Sequence, residues 1–168
     1  MIELTTLHEA LIGEIRDLYG AEKQLLRALS RLAPTVRTAA VHDVVSLLLT
    51  DTGNQLWRLE EIFTLLDEDI SSRHSLGMAR ILDTRSNARV PDLAYGAEDL
   101  QVAAVAQRAA HFLAAVHSTA AARARALGYF DVAQLLDESV EEATAAGRRL
   151  VPLAAPPMMH PLVLDARQ

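Results

Sequence analysis

A long row of apolar side chains with helical spacing, interrupted by one carboxylate, constrains this chain more than any other feature. Side chains three and four positions apart share a helix face, and Glu22 is the charged member of such a row between residues 11 and 32. An unpartnered carboxylate is costly to remove from water, so Glu22 needs a cation, a hydrogen-bond donor, a metal ion or a proton. The row contains Leu11, Ile15, Leu18, Glu22, Leu25, Leu29 and Leu32.

The composition predicts an all-α protein with one domain. Of the 168 residues, 51% are hydrophobic but only 4% are aromatic, so Leu, Val, Ile and Ala must build the core. These side chains suit closely packed helices better than strands. The chain has no cysteine, which excludes a disulfide framework, a thiolate metal site and a thiol nucleophile.

Charge and hydropathy argue against a nucleic-acid surface and against a membrane role. The formal net charge is -6, and no dense Lys/Arg cluster is present to displace counterions from phosphates. No apolar run approaches the ~20 residues of a membrane-spanning helix, and the N-terminus lacks the pattern of a signal peptide. We expect a cytoplasmic protein.

Periodic rows and their boundary residues predict four long helices and one short helix. Thr6-Leu7-His8-Glu9 has the form of a capping box, and Pro34 ends the first helix. Gly128 ends the third helix, and Asp131 is the expected N-cap of the fourth. The predicted helices cover residues 6–32, 38–66, 76–84, 97–127 and 131–151.

Two long helices, a crossover of roughly thirty residues and two more long helices are the order of a ferritin-like four-helix bundle. We assign residues 1–151 to this bundle and residues 152–168 to a Pro-containing C-terminal extension. Such bundles hold a dinuclear site of carboxylates at the core, and hard carboxylates suit iron or manganese. On the second helix, Asp51 and Gln55 fall on the predicted inner row.

The segment from Glu14 to Leu25, with the sequence EIRDLYGAEKQL, resembles the first helix of the YciE/YciF-like family of ferritin-like bacterial proteins, a stress-associated group. Weaker matches support the resemblance: Arg58-Leu59-Glu60, Gly77-Met78, Ala106-Gln107-Arg108 with His111, and Ala126-Leu127-Gly128 with Leu135-Leu136. The resemblance covers about residues 7 to 150. It implies a dinuclear metal site, and it favours a homo-oligomer, a dimer in particular.

Most of the ligand positions implied by the resemblance carry residues that cannot bind a metal. Glu22 matches the carboxylate of the first helix, and Asp51 stands where the family has Glu. On the third helix two family carboxylates align with Ala110 and Leu113. On the fourth helix the inward positions fall on Ala143 and Gly147, beside Glu142.

These departures favour a decayed dinuclear site and a non-catalytic bundle with a stress-related structural or interaction role. We assign no catalytic or cofactor-binding residue, and Glu22 and Asp51 are the vestigial ligands. If a metal binds, iron or manganese is expected, with Gln55, His117 and Glu142 as further ligands. His117 lies near the inner row of the third helix and could instead be the partner of Glu22.

Two alternative functions stay open. A carboxylate-bridged di-iron protein would perform oxidase or peroxide-consuming chemistry or handle iron. A small-molecule carrier would use a core cavity vacated at Ala110 and Ala143. Only the first of these alternatives would make the protein an enzyme, and the leading interpretation is non-catalytic.

Four further predictions concern the surface and the packing. Glu138, Glu141 and Glu142 are expected to form a solvated helix face. The Ala-rich third helix could pack closely within the bundle or form a dimer interface, and the apolar tail segment 158–164 should dock on the bundle or on a partner. The aromatic residues expected to pack inside the bundle are Tyr19, Trp57, Phe63 and Phe112.

Overall fold

The structure is a computed structural model that describes residues 4–83 and 97–155. These residues form five α-helices and two short 3₁₀ turns, and they contain no strand. The α-helices are α1 (Leu4–Leu32), α2 (Ala39–Leu65), α3 (Leu76–Leu82), α4 (Ala97–Ala126) and α5 (Phe130–Leu150), with 3₁₀ turns at Ala33–Thr35 and Pro152–Ala154.

The four long helices form the bundle that the sequence predicts. Helix α1 packs against α2 and α4, and α5 packs against α2 and α4, so the four helices enclose one core. Aliphatic side chains fill this core, and alanines on α4 allow α5 to approach closely. The ferritin-like four-helix bundle is therefore confirmed, with α3 lying outside it against α1 and α4.

Several predicted helix boundaries are correct, and two caps are not. Thr38 is the N-cap residue of α2, and Gly128, two residues after the end of α4, has a φ of 81°, in the left-handed region that favours glycine. The capping box at Thr6 is wrong, because α1 already begins at Leu4. Asp131 is not an N-cap, because α5 begins at Phe130 and Asp131 lies in its first turn.

The aromatic side chains divide between the core and the surface. The rings of Tyr19 and Phe63 meet edge to face, with centroids 5.8 Å apart, as expected for packing inside the bundle. Phe112 is half-buried and packs against the core. The same prediction is wrong for Trp57, which is 64% exposed because its position falls on the outer face of α2.

Gly20 lets the crossover lie directly on α1. A Cβ atom at Gly20 would come within 1.6 Å of the backbone carbonyl oxygen of Arg73, so only glycine fits there. The amide of Arg73 donates to the carbonyl of Arg16 at 3.0 Å, and this hydrogen bond fixes the crossover segment against α1. One turn along, Gln24 accepts from the amide of Ser75 at 2.8 Å and donates to its carbonyl at 3.2 Å.

Asp99 joins two helices at one end of the bundle. Its carboxylate accepts hydrogen bonds from the amide of Arg37 at 3.1 and 3.2 Å and from the amide of Thr38 at 2.6 Å, directly before α2. The hydrogen bonds from Thr38, together with those from Arg37, hold the pKa of Asp99 below its ordinary value. Asp99, which lies on α4, thus satisfies backbone amide donors at the start of a different helix, α2.

None of the described helices is long and apolar enough to cross a lipid bilayer. The C-terminal extension begins with the 3₁₀ turn, which packs on α4 and α5. The predicted docking of residues 158–164 lies outside the described residues.

Candidate metal centre

Glu22 and His117 form a buried pair at the centre of the bundle. The Oε1 atom of Glu22 on α1 lies 2.9 Å from Nε2 of His117 on α4, and both side chains are completely shielded from solvent. Burial raises the pKa of Glu22, and the hydrogen bond and charge of His117 only partly offset this effect. The prediction that His117 is the partner of Glu22 is confirmed.

Three polar atoms at the centre have no hydrogen-bond partner among the residues that the structure describes. They are Oε2 of Glu22, Nδ1 of His117 and Oε1 of Gln55. Most buried polar atoms in folded proteins are paired, and an unpaired one costs about 1–3 kcal/mol. The central cluster is therefore incompletely satisfied by the protein's own groups.

Glu142 lies on the inner side of α5 and is held by a guanidinium. Arg58 on α2 forms a two-pronged ion pair with its carboxylate, with Nη1 2.8 Å from Oε2 and Nη2 bonded to Oε1. Gln55 donates to the same Oε2 at 3.1 Å. Burial would raise the pKa of Glu142, but these bonds bring it below its ordinary value.

Glu142 is therefore not part of a solvated helix face, contrary to the prediction. Its side chain is 25% exposed, whereas Glu138, one turn earlier, is 46% exposed. Glu138 pairs with Nε of Arg58 at 3.2 Å, so one guanidinium holds two carboxylates of α5. Ala143 and Gly147 keep the inner row of α5, and Glu142 reaches Arg58 and Gln55 from the edge of that row.

Asp51 is only half-buried, because Thr52 occupies the inner row of α2 in its place. The hydroxyl of Thr52 donates to the carbonyl of Leu48 at 2.7 Å within the helix, so it needs no partner from another helix. Asp51 lies close enough to Glu142 for the two charges to interact. Burial and the charge of Glu142 together raise the pKa of Asp51.

Side chains without metal-binding groups fill the remaining inward positions. Ala110, Leu113 and Ala143 are each at most 1% exposed, as the sequence predicts. Gly147 is covered by the ring of His111, whose Cε1 atom would lie 2.9 Å from a Cβ atom at that position. His111 is itself exposed, and its ring packs on α5 at Gly147.

A dinuclear metal centre does not fit these residues. Such a centre in a ferritin-like bundle uses carboxylates from all four helices. Here α4 contributes His117, which pairs with Glu22, and the inward carboxylate of α5 is held by Arg58. The described part of the chain contains no group of three or more His, Asp or Glu side chains that could hold a metal ion.

Sequence reasoning missed Arg58 as a member of this cluster. Arg58 lies between two inner-row positions of α2, and its long side chain reaches α5 from the edge of that row. The signal was a basic residue two turns after Asp51 and one turn after Gln55, on the side that faces Glu138 and Glu142. Its pairing is tertiary, so no local periodicity could reveal it.

Comparisons with known proteins agree with this fold. A family model described as a domain of unknown function, DUF892, matches residues 6–159. The chain belongs to this family. Protein YciF of Escherichia coli (strain K12) is 27% identical over 154 residues, which cover 91% of this chain and 93% of YciF.

Three solved structures superpose on this fold. The structure of the E. coli stress protein YciF matches with a TM-score of 0.80 and 28% identity, over 89% of this chain and 94% of that one. YcfI from Rhodopseudomonas palustris, proposed to be a structural protein, matches with a TM-score of 0.79 and 25% identity, over 86% of this chain and 92% of that one. A protein from Xanthomonas campestris pv. campestris shares the fold at 15% identity, with a TM-score of 0.68 over 87% of this chain and 88% of that one.

Proposed function

We propose that this DUF892 member is a non-catalytic bundle protein with a stress-related structural or interaction role, and that its dinuclear metal site has decayed. The observation that carries the proposal is the ion pair of Arg58 with Glu142. A guanidinium that binds an inward carboxylate supplies the positive charge that a metal ion would otherwise bring.

The central pair supports the same proposal. His117 occupies Oε1 of Glu22, and Ala110, Leu113, Ala143 and Gly147 offer no ligand atoms from α4 and α5 side chains. The stress-related part of the proposal rests on the similarity to YciF, which is a stress protein, and the structural part on the similarity to YcfI.

Iron-dependent oxygen consumption tests the non-catalytic proposal against the di-iron alternative. Purified protein is loaded with Fe(II) without oxygen, and the consumption of oxygen and of peroxide is then recorded. We expect rates equal to those of Fe(II) in buffer. Saturable, protein-dependent turnover that disappears in Glu22→Gln would contradict the proposal.

The carrier alternative receives its support from a different part of the molecule. Two surface grooves are lined by residues of α1, α3, α4 and the crossover, and neither of these two is lined by Ala110 or Ala143. A carrier function would therefore use an outer groove rather than the core.

We also propose that the protein forms a homodimer through the outer face of α2. The alanines at 103, 106, 109, 120, 121 and 124 on α4 are buried within the protomer, so these six are not available for a dimer interface. On α2, Trp57 is 64% exposed and Leu47 is 38% exposed. Gly53 lies mid-helix with no atom within 4 Å of a Cβ position, although glycine weakens a helix by about 1 kcal/mol.

An antiparallel pairing of two α2 helices would use all three features. A two-fold axis at residue 52 brings Leu47 opposite Trp57 of the other copy and Thr50 opposite Asn54, because both pairs are centred on that residue. Gly53 would let the two backbones approach closely.

Light scattering coupled to gel filtration tests the dimer. We expect a dimer for the native chain, a monomer for Trp57→Glu, and a dimer for the control Leu76→Glu, which changes a 75% exposed side chain on α3. Asp43 would face Glu61 at the rim of this pairing, so added salt should strengthen the dimer. A native monomer, or a dimeric Trp57→Glu, would contradict the proposal.

The cytoplasm is the compartment we propose, on the sequence grounds given above. Fractionation of cells that express the chain, followed by immunodetection, tests this assignment. Recovery in the membrane or periplasmic fraction would contradict it.

A further inference from the structure

A groove of about 610 Å³ lies on the outer surface between α1, the crossover and α4. Its volume falls in the range of about 300–1,000 Å³ that is usual for small-ligand pockets. Three chain segments form it: residues 9–17 of α1, residues 73–77, and the part of α4 from Phe112 to Arg123.

The guanidinium of Arg73 lies inside this groove. Its Nη1 atom lies 3.4 Å from the Cβ position of Gly13, so the side chain rests on the surface of α1. The backbone of Arg73 is fixed by its hydrogen bond to Arg16. No carboxylate in the described ranges pairs with this guanidinium.

The second arginine of the groove differs from Arg73 because it already has a partner. Arg123 donates to Oε2 of Glu14 at 2.7 Å. The positive charge free to bind an anionic group is therefore that of Arg73.

Two carboxylates without an ion pair in the described structure flank this guanidinium. Glu9 and Asp17 lie one helical turn to either side of Gly13, about 6 Å away along the axis, and both are exposed. A purely anionic ligand at Arg73 would be repelled by both carboxylates. A ligand that carries a positive charge about 6 Å from its negative charge would be stabilised by one of them.

One wall of the groove is apolar, and the polar residues His74 and Ser75 also line the groove. The ring of Phe112 packs on Gly77, where a Cβ atom would lie 2.9 Å from the ring, and Val116 continues this surface along α4. Leu76 is 75% exposed at the rim. The groove therefore offers opposite charges on one side and aromatic and aliphatic surface on the other.

We propose that this groove binds a short zwitterionic peptide with apolar side chains, its carboxylate on Arg73 and its ammonium group on Asp17 or Glu9. An extended dipeptide separates its terminal charges by about 7 Å, which matches the spacing of the two sites. A free amino acid separates its charges by about half that distance. The apolar side chains contact Phe112 and Val116.

This inference is independent of the state of the metal centre. It requires neither the decay of that centre nor the dimer. Binding in the groove would supply the recognition step of a carrier or sensor without using the core.

Titration of the full chain with leucyl-leucine, followed by NMR amide shifts or calorimetry, tests the proposal. We expect saturable binding with a Kd of about 1 mM or tighter. Leucine, 4-methylpentanoate and 3-methylbutylamine lack the correct charge spacing or one charge, and each should bind about tenfold more weakly. Equal binding of 4-methylpentanoate, or no saturable binding, would overturn the proposal.

Matched variants locate the site. Arg73→Gln should weaken dipeptide binding about tenfold, and either Asp17→Asn or Glu9→Gln should weaken it about fivefold. Arg80→Gln is the control, because Arg80 is exposed on α3 and does not line the groove. Unchanged melting curves show that the variants are folded. Equal affinities of Arg73→Gln and Arg80→Gln would overturn the assignment.

Discussion

On the outer face of α1, Gln24 both accepts from and donates to the backbone of Ser75, whereas on the inner face Glu22 uses one carboxylate oxygen and leaves the other without a partner. The two residues are two positions apart in the sequence. Gly20 completes the outer face, because the crossover carbonyl occupies the space of its missing Cβ.

This difference separates two roles of the first-helix motif at residues 14–25. The outer residues of the motif are fully used by the present fold, so they should contribute to its stability. The inner carboxylate is a group that can bind metal, but the rest of the cluster does not form a metal site with it, since α4 and α5 offer a histidine and an arginine-bound glutamate in its surroundings. Similarity in this motif therefore indicates the fold more directly than it indicates metal binding.

The largest effect is expected at the outer face. Gly20→Ala should lower the free energy of unfolding by about 3 to 5 kcal/mol, because the crossover must move away from α1. Urea denaturation followed by circular dichroism measures this change. Gly13→Ala is the control on the same helix and should be neutral or stabilise by up to about 1 kcal/mol. Native stability of Gly20→Ala would show that the crossover does not depend on this contact.

The next largest effect concerns the ion pair at the inner cluster. Arg58→Ala should cost about 2 to 3 kcal/mol at neutral pH, because it leaves the partly buried carboxylate of Glu142 without its cation. The same denaturation experiment measures it. Arg148→Ala, which removes an exposed arginine of α5, should change stability by no more than about 0.5 kcal/mol. Equal stabilities of the two variants would argue against the proposed role of Arg58.

A smaller, pH-dependent effect is expected where a buried carboxylate is well satisfied. Asp99→Asn should cost about 1 to 2 kcal/mol at pH 7 through weaker bonds to the backbone of Arg37 and Thr38. The pKa of Asp99 is lowered in the folded state, so its contribution is present above the ordinary value of 3.8 and is lost as the pH falls through the folded value.

Denaturation curves between pH 7 and pH 3 measure this dependence. The difference between the native chain and Asp99→Asn should shrink at the acid end. Glu98→Gln is the charge-matched control, because Glu98 is exposed in the same helical turn. A difference that stays constant over this range would contradict the assigned pKa direction.

The smallest effect should come from removing the central pair as a unit. The free energy of unfolding of the double variant Glu22→Leu/His117→Leu should lie within about 1 kcal/mol of that of the native chain. The buried pair contains two unsatisfied atoms, and in the double variant apolar packing takes the place of this pair. His117→Leu alone should cost about 3 kcal/mol, because it leaves the carboxylate buried without a partner. A loss of several kcal/mol in the double variant would show that the pair stabilises the fold.

The fold could be predicted because its signals are local. The apolar spacing of α1, the breaker Pro34 and the glycine after α4 each act within one or two turns of the chain. The contact of Glu22 with His117 could also be predicted, because both residues lie near inner rows of their own helices.

The rest of the site depends on helix rotation and on contacts between distant segments. One residue of helix corresponds to about 100° of rotation, which is enough to place Thr52 inside and Asp51 at the edge. The same uncertainty hid the position of Glu142 at the edge of the inner row of α5. Arg58 binds Glu142 from another helix, and the spacing of residues in the sequence does not indicate this pair.

Metal stoichiometry tests the central claim most directly. The native chain is incubated without oxygen with an excess of Fe(II), and separately of Mn(II), freed of unbound metal and analysed by mass spectrometry for metal per chain. A centre whose carboxylates are held by His117 and Arg58 predicts a metal content close to zero. About two metal ions per chain would contradict the decayed site and support a working dinuclear centre.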